Sequence, residues 1–204
     1  MNIGVFASGR GSNFQAILNA IHQGNLPARV TLLLSNKSDA GALEIARSNG
    51  IPTTHLSQKQ FPDEESFAAK MLGVLREHDV HLIALAGYLK KIPTAVVRAY
   101  RNKILNIHPA LLPLFGGTGM YGHYVHEAVI ASGMKVSGAT VHIVDEEYDR
   151  GAIVIQKPVL VDELDTPETL AAKVLIVEHE IYPEAIKAFA ENRVFMKERS
   201  AWIR

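Results

Sequence analysis

The chain has 204 residues, 48% of them hydrophobic, and this length suits one α/β domain. Its 21 Lys and Arg residues balance its 21 Asp and Glu residues, so the overall charge gives no support for binding nucleic acid or an anionic membrane. The absence of cysteine excludes disulfides, thiolate metal sites and a cysteine nucleophile. No apolar stretch approaches the roughly 20 residues that span a bilayer, and the N-terminus lacks a signal segment, so we expect a cytoplasmic protein.

The first hundred residues alternate apolar strands with amphipathic helices. Residues 3–7 predict a buried strand that ends in a glycine-rich loop. Ser12 is expected to cap the helix that follows, and Gly24 is expected to end it. The same patterns predict strands at 30–34 and 81–86 and helices at 40–48 and 62–75.

The rest of the chain predicts strands at 103–107, 136–144 and 153–161, and a last long helix that Thr166-Pro167-Glu168 opens. Strands alternating with helices indicate right-handed βαβ units. We therefore expect one Rossmann-like α/β domain over 1–204, a mostly parallel twisted sheet with helices on both faces. Ligands of such sheets bind beyond the carboxyl ends of the strands, which is where the polar motifs lie.

The loop Gly9-Arg10-Gly11-Ser12-Asn13 lies between the first strand and the first helix, where free backbone N–H groups favour an anion. A dinucleotide fingerprint would need a third glycine where Phe14 stands, and the second strand ends in Ser35-Asn36 without an acid for the ribose. One phosphate monoester therefore fits better than a dinucleotide. The alternative is a tight turn that only the fold requires.

Asn106 and His108 stand two residues apart at a strand end, so their side chains point the same way. Asparagine can donate to a developing oxyanion, and histidine can exchange a proton near neutral pH. The pair therefore predicts addition of a nucleophile to a carbonyl, the alternative being a satisfied polar pair at a turn. A carboxylate that orients the histidine is expected from residues 145–151, the loop between the last two predicted strands. Asp145 and Asp149 are alternative candidates for this role.

Five motifs follow one another along nearly the whole chain: Ser8-Gly9-Arg10-Gly11-Ser12-Asn13, Ala86-Gly87-Tyr88, Asn106-Ile107-His108-Pro109-Ala110-Leu111-Leu112-Pro113, Gly138-Ala139-Thr140-Val141-His142 and Asp149-Arg150-Gly151. In these motifs the chain resembles the folate-dependent phosphoribosylglycinamide formyltransferases. The resemblance implies a formyltransferase fold and formyl transfer from the co-substrate 10-formyltetrahydrofolate to the amine of glycinamide ribonucleotide, in purine biosynthesis. It also implies a phosphate-binding half at about 1–100 and a folate and catalytic half at about 101–204.

The resemblance assigns roles to individual residues. The catalytic residues it implies are Asn106, His108 and Asp149, which selects Asp149 over Asp145. For glycinamide ribonucleotide it implies Gly11, Ser12, Asn13, Gly87, Pro109 and Glu178. For the folate it implies Leu85, Tyr88, Leu89, Lys90, Lys91, Ile92, Asn106, Val141, Val144 and Asp145. No metal is expected.

The sequence also departs from the family pattern. Lys90 stands where an arginine often contacts the folate, and Asp63-Glu64-Glu65 lacks a basic residue that some members place against the folate tail. The glycine-rich segment 116–122 is longer than in some members and is expected to be a mobile, lid-like loop, the alternative being an ordinary surface loop. His142, two residues from Thr140 on a strand, is a further candidate to face the site.

Other functions are weighed against this one. A formyltetrahydrofolate deformylase would use water in place of the amine, but such chains usually carry an added N-terminal domain. A methionyl-tRNA formyltransferase is disfavoured by the lack of basic excess and of a C-terminal RNA-binding domain. A non-catalytic nucleotide-binding module predicts ligand binding without a folate product, and Phe14 opposes a dinucleotide reductase. We expect small-molecule substrates alone, and a monomer or weak homodimer.

Overall fold

The computed structural model describes all 204 residues. Its elements in chain order are β1 (Asn2–Phe6), α1 (Ser12–His22), β2 (Arg29–Ser35), α2 (Gly41–Ser48), β3 (Thr53–His55), α3 (Glu64–Glu77), β4 (Leu82–Leu85), α4 (Thr94–Ala99), β5 (Ile104–His108), α5 (His123–Ala131), β6 (Val136–Ile143), β7 (Ile153–Leu160), α6 (Pro167–Ala190), β8 (Val194–Lys197) and β9 (Ser200–Ile203). The chain divides into two compact units, Met1–Leu105 and Asn106–Arg204.

The first unit contains a parallel arrangement of four strands in the order β3-β2-β1-β4. In β1, Ile3 lies opposite Val30 of β2 and Leu82 of β4. Strands β1, β2 and β4 are short, apolar and largely buried, the composition typical of a parallel sheet covered on both faces, whereas the edge strand β3 is polar and not buried. The parallel pairing predicted for this part of the chain is confirmed.

The start of α1 corrects one expectation, because Ser12 does not cap the helix. Ser12 is the first helical residue, and the cap position is Gly11, which has a left-handed φ of 88° and no side-chain hydrogen bond. The chain turns into the helix through this glycine, so no side chain is placed to accept the first N–H groups. Phe14, Ile17 and Leu18 then form the buried stripe, and Gly24 follows the last turn at φ 74° as predicted.

The second unit contains strands in the order β5-β6-β7, with β6 and β7 antiparallel. Their ladder is irregular between Val141 and His142, close to the end of β6. The long helix α6 packs on both β6 and β7. Its start has the predicted form, because the Thr166 side chain accepts from the N–H of Thr169 and Pro167 occupies the first turn.

Four parts of the fold were not predicted from the sequence. These are the short strand β3, the helices α4 and α5, and the C-terminal hairpin formed by β8 and β9, which pair antiparallel. The predicted strands lie within one or two residues of β1, β2 and β4 to β7.

None of the helices combines the length and the apolar character needed to cross a bilayer.

Replacing Gly11 by alanine tests the turn into α1. A Cβ at Gly11 would lie 2.9 Å from both Cα and Cβ of Ala42, in addition to the unfavourable φ. We expect Gly11→Ala to lower the free energy of unfolding by about 2–4 kcal/mol, since left-handed strain and a backbone clash each cost roughly 1–3 kcal/mol. Gly24→Ala is the matched control, because its φ is also positive but nothing lies within 4 Å. Equal losses in urea unfolding for the two variants would contradict the contact with Ala42.

Candidate active site

The end of β5 carries the predicted polar pair. His108 is buried at 3% exposure, and its Nε2 lies 2.8 Å from the carbonyl oxygen of Phe115. A carbonyl can only accept, so Nε2 carries a proton in this contact. Nδ1 is therefore the ring nitrogen of His108 that is left to take up and release a second proton.

The connection between β6 and β7 brings Asp149 to this histidine. Its Oδ2 lies 3.9 Å from Nδ1 of His108 and accepts the N–H of Gly117 at 2.8 Å. Asp149 has φ 53°, in the left-handed region that residues with a side chain adopt uncommonly. Asp145, the other candidate, instead accepts the N–H of Glu147 within its own loop at 2.9 Å. The structure thus places Asp149, and not Asp145, beside His108.

Two glycines allow the backbone to approach this carboxylate closely. A Cβ at Gly116 would lie 2.5 Å from Cδ2 of Leu112 and 3.1 Å from Cβ of Asp149. A Cβ at Gly151 would lie 1.7 Å from the carbonyl oxygen of Ile143. A larger residue at Gly151 would require the backbone to shift, whereas one at Gly116 would displace the side chain of Leu112 and press on Asp149.

His142 of β6 lies between Asn106 and Asp149. Its Nδ1 is 3.1 Å from the carbonyl oxygen of Ile143, which again requires a proton on that nitrogen. Its Nε2 is 3.1 Å from Nδ2 of Asn106 and 3.4 Å from Oδ1 of Asp149. A neutral ring accepts from the amide, whereas a protonated ring donates to the carboxylate. In the neutral state one N–H of Asn106 is used by His142, and the second can meet a ligand.

Burial and neighbouring charges set the protonation of the pair. Burial lowers the pKa of His108, although the charge of Asp149 and the carbonyl of Phe115 act in the opposite direction. Burial by itself would raise the pKa of Asp149, but hydrogen bonds from His142 and the Gly117 N–H, with the charge of His108, bring that pKa below its usual 3.8. At neutral pH the site therefore holds a neutral imidazole beside an ionised carboxylate.

Thr140 supports the backbone that follows His108. Its hydroxyl donates to the carbonyl of Ala110 at 2.6 Å and accepts from the N–H of Leu112 at 3.1 Å. The amide of Gln156 joins the network with bonds to Oγ1 of Thr140 and to the carbonyl of Leu112. This buried network fixes the turn that leads from His108 towards Phe115.

The segment after Phe115 contains the predicted glycine-rich loop. Gly117, Gly119 and Gly122 all have positive φ, and the Phe115 carbonyl and Gly117 N–H at its start are bound by His108 and Asp149. Farther along, the exposed rings of Tyr121 and Tyr124 meet edge to face at 5.5 Å. Mobility of this loop stays a prediction.

The predicted phosphate loop lies in the first unit. Gly11 and Asn13 are buried, Ser12 is half-buried, and the carbonyl of Gly9 accepts the N–H of Ala42 at the start of α2. Because Ser12 opens α1, the N–H groups of its first turn point out of the helix, an arrangement that favours an anion.

The predicted folate segment follows β4 in the same unit. Gly87 has φ 74°, and Tyr88 packs edge to face on Phe6 at 5.4 Å. Burial raises the pKa of the Tyr88 hydroxyl to about 12. The side chains exposed for a ligand are those of Leu89, Lys90 and Lys91, whereas Leu85, Tyr88 and Ile92 are buried in the core.

The remaining predicted residues lie in the second unit. Glu178 is 8% exposed on α6, Val141 is fully buried in β6, and Pro109, Val144 and Asp145 are half-buried. The side chain of Val141 therefore packs in the core, and only the backbone of this residue could contact a ligand.

Comparison with known proteins covers almost the whole chain. Residues 1–186 match the formyl transferase family model. The chain is 47% identical to the chloroplastic phosphoribosylglycinamide formyltransferase of Arabidopsis thaliana, over 96% of this chain and 68% of that protein. It is 42% identical to the phosphoribosylglycinamide formyltransferase of Bacillus subtilis, over 90% of this chain and 91% of that one. The chain belongs to the phosphoribosylglycinamide formyltransferase family. The resemblance found in the sequence motifs is confirmed.

The fold of the family is confirmed as well. The crystal structure of glycinamide ribonucleotide transformylase 1 from Symbiobacterium toebii matches with a TM-score of 0.94 at 40% identity, over 100% of this chain and 93% of that one. The predicted α/β class, a mostly parallel sheet with helices, is therefore correct for this formyltransferase. Antiparallel pairing joins β6 to β7 at one edge of this sheet, and β8 to β9 in a separate two-stranded sheet.

Removal of the His142 ring tests its hold on Asn106. We expect His142→Ala to lower kcat about tenfold or more while KM changes less than threefold, because the amide of Asn106 loses the partner that orients it. Steady-state kinetics of formyl transfer measures this. His81→Ala, at an exposed histidine paired with Asp79, is the control and should retain full activity. An unchanged kcat in His142→Ala would show that Asn106 is oriented without it.

The lowered pKa of Asp149 predicts a dependence of stability on pH. A carboxyl with a lower pKa in the folded than in the unfolded state stabilises the fold above the unfolded pKa, and this contribution is lost as pH falls through the folded pKa. We therefore expect the stability difference between wild type and Asp149→Asn to shrink between about pH 5 and pH 2. Urea unfolding at several pH values measures it. A difference that stays constant over this range would contradict the shift.

Proposed function

We propose that this enzyme transfers the formyl group of 10-formyltetrahydrofolate to the amine of glycinamide ribonucleotide and releases tetrahydrofolate. The observation that carries the proposal is the group of Asn106, His108 and Asp149, assembled at the end of β5 in a member of this family. An amide donor, a histidine and an ionised carboxylate are the groups that addition to a formyl carbon requires.

The reaction begins when the substrate amine attacks the formyl carbon. A carbon–nitrogen bond forms, and the formyl oxygen becomes an oxyanion. The second N–H of Asn106 is available to this oxyanion, because His142 engages only one. The intermediate collapses when the bond to the folate nitrogen breaks, and that nitrogen leaves with a proton.

His108 moves the proton between the two nitrogens. The oxyanion adds a negative charge beside the ring, which favours the imidazolium that burial alone disfavours. Nδ1 can therefore take the proton that the attacking amine loses and give it to the leaving folate nitrogen. Asp149 stabilises the charged ring during this step, while Phe115 keeps its bond to Nε2 and holds the ring in place.

The substrate-binding segments follow from their exposed groups. The first turn of α1, with Gly11, Ser12 and Asn13, suits the phosphate of glycinamide ribonucleotide. Gly87, Pro109 and Glu178 complete the set that we assign to this substrate. The exposed ammonium groups of Lys90 and Lys91 suit the carboxylates of the folate tail.

The remaining folate contacts are assigned to two sets of residues, one in each unit: Leu85, Tyr88, Leu89 and Ile92 in the first, and Asn106, Val141, Val144 and Asp145 in the second. We also propose that the enzyme acts in the cytoplasm as a monomer or weak homodimer. Sedimentation at increasing protein concentration reports the assembly directly.

A single assay tests the reaction. Tetrahydrofolate formation from 10-formyltetrahydrofolate is followed with and without glycinamide ribonucleotide. We expect turnover that depends on the amine, with the formyl group recovered on it. Equal turnover without the amine would instead identify a deformylase, in which water is the acceptor.

The loop between β6 and β7 offers a matched pair of variants for the carboxylate. We expect Asp149→Asn to lower kcat by about 10² to 10⁴, because the imidazolium loses its counter-charge. Asp145→Asn removes the same charge from the same loop and should cost less than tenfold in kcat. Near-wild-type turnover of a folded Asp149→Asn variant would contradict the proposed role.

A further inference from the structure

Ser8 is a buried hydroxyl at the end of β1, with 2% of its surface exposed. Its Oγ donates to Oδ1 of Asn36 at 2.5 Å and accepts the backbone N–H of Leu89 at 2.9 Å. Its own backbone N–H donates to the carbonyl of Gly87 at 3.0 Å. One residue thus joins the ends of three neighbouring strands, β2, β1 and β4.

The direction of each bond is determined by the groups present. The N–H of Leu89 can only donate, so it occupies a lone pair of the Ser8 hydroxyl. The hydroxyl proton must then go to the amide oxygen of Asn36, which fixes the rotation of the Ser8 side chain. Asn36 therefore orients the Ser8 hydroxyl, and the hydroxyl in turn holds the N–H of Leu89. We call this pair of linked hydrogen bonds a relay.

The position of this relay matters because of the segments it joins. Ser8 leads directly into the Gly9–Asn13 loop, whereas Leu89 belongs to the segment assigned above to the folate and Gly87, assigned to glycinamide ribonucleotide, lies two residues before it. Leu89 is 46% exposed, so its side chain adds little packing to hold that segment. The hydrogen bond to Ser8 is thus a main constraint on the backbone of Leu89.

We propose that Ser8 is a positioning residue for folate binding, which fixes the backbone of Leu89 beside the loop that binds the second substrate. The inference rests on the proposed function for the identity of the ligand. Ser8 is not among the residues assigned to the chemical step, so its effect falls on the affinity for the folate.

A neighbouring hydroxyl provides the control. Ser35 is fully buried at the end of β2, and its Oγ accepts the N–H of Lys37 within its own turn at 3.1 Å. Ser35→Ala removes a buried hydroxyl from the same region but leaves the bond between β1 and Leu89 intact. It separates a positioning role from a general loss of stability.

The kinetic test compares four variants. We expect Ser8→Ala to raise KM for 10-formyltetrahydrofolate about five- to twentyfold, the effect of one lost hydrogen bond, with kcat and KM for glycinamide ribonucleotide within threefold of wild type. Asn36→Ala should raise the folate KM in the same direction but less, because Ser8 still accepts from Leu89. Asn36→Asp keeps an accepting oxygen and should restore the wild-type value, and Ser35→Ala should not change it.

A second measurement does not depend on activity. Hydrogen exchange of the peptide containing Leu89 should be at least about tenfold faster in Ser8→Ala than in Ser35→Ala, because the amide has lost its acceptor. If wild type showed no amine-dependent transfer while exchange changed as expected, the proposed function would fail and the constraint on Leu89 would stand. Unchanged exchange, or an unchanged folate KM in an active Ser8→Ala enzyme, would overturn the inference.

Discussion

One largely buried carboxylate organises the second unit of this enzyme. Removal of a charge from water is costly unless the protein supplies compensating donors and opposite charge. The N–H of Gly117 donates to Asp149, and the rings of His108 and His142 lie beside the carboxylate, where each supplies opposite charge when it is protonated. Two features of the backbone place the carboxylate there: Asp149 has a left-handed φ, and Gly116, which has no side chain, packs closely against it.

The same contacts join parts of the site that are distant in the sequence. His108 binds the Phe115 carbonyl, and Asp149 binds the Gly117 N–H two residues later. The start of the glycine-rich loop is therefore bound by both members of the pair at once. Any movement of this segment changes the surroundings of the histidine and of the carboxylate together, so the conformation of the loop and the protonation of the site are linked.

Much of the fold could be predicted because its strands are continuous apolar runs that end at glycine or polar residues. The elements that were missed lack such a signal. Strand β3 has only three residues, α4 is a six-residue helix, and Phe195 and Trp202 of the C-terminal hairpin are exposed. Helix α5 follows the glycine-rich loop and buries His126, whose pKa falls to about 4, so its inner face is not purely apolar.

The site was predictable to the extent that its chemistry lies in side chains. Asn106 and His108 stand out by their spacing on a strand, but the choice between Asp145 and Asp149 depends on a loop path that spacing alone does not determine. The backbone groups of Phe115 and Gly117 leave no trace in a sequence, because every residue has a carbonyl and nearly every one an N–H. The contact of His142 with Asn106 requires the register of β5 and β6.

The close approach at Gly151 has a consequence for how this family can change. Its missing side chain lets the chain pass against the Ile143 carbonyl, so position 151 is closed to every other amino acid unless the loop is rebuilt. The side chains at positions 146–148 of the same loop are exposed. A library designed to alter the acceptor therefore has to keep the glycine, which preserves the placement of the carboxylate.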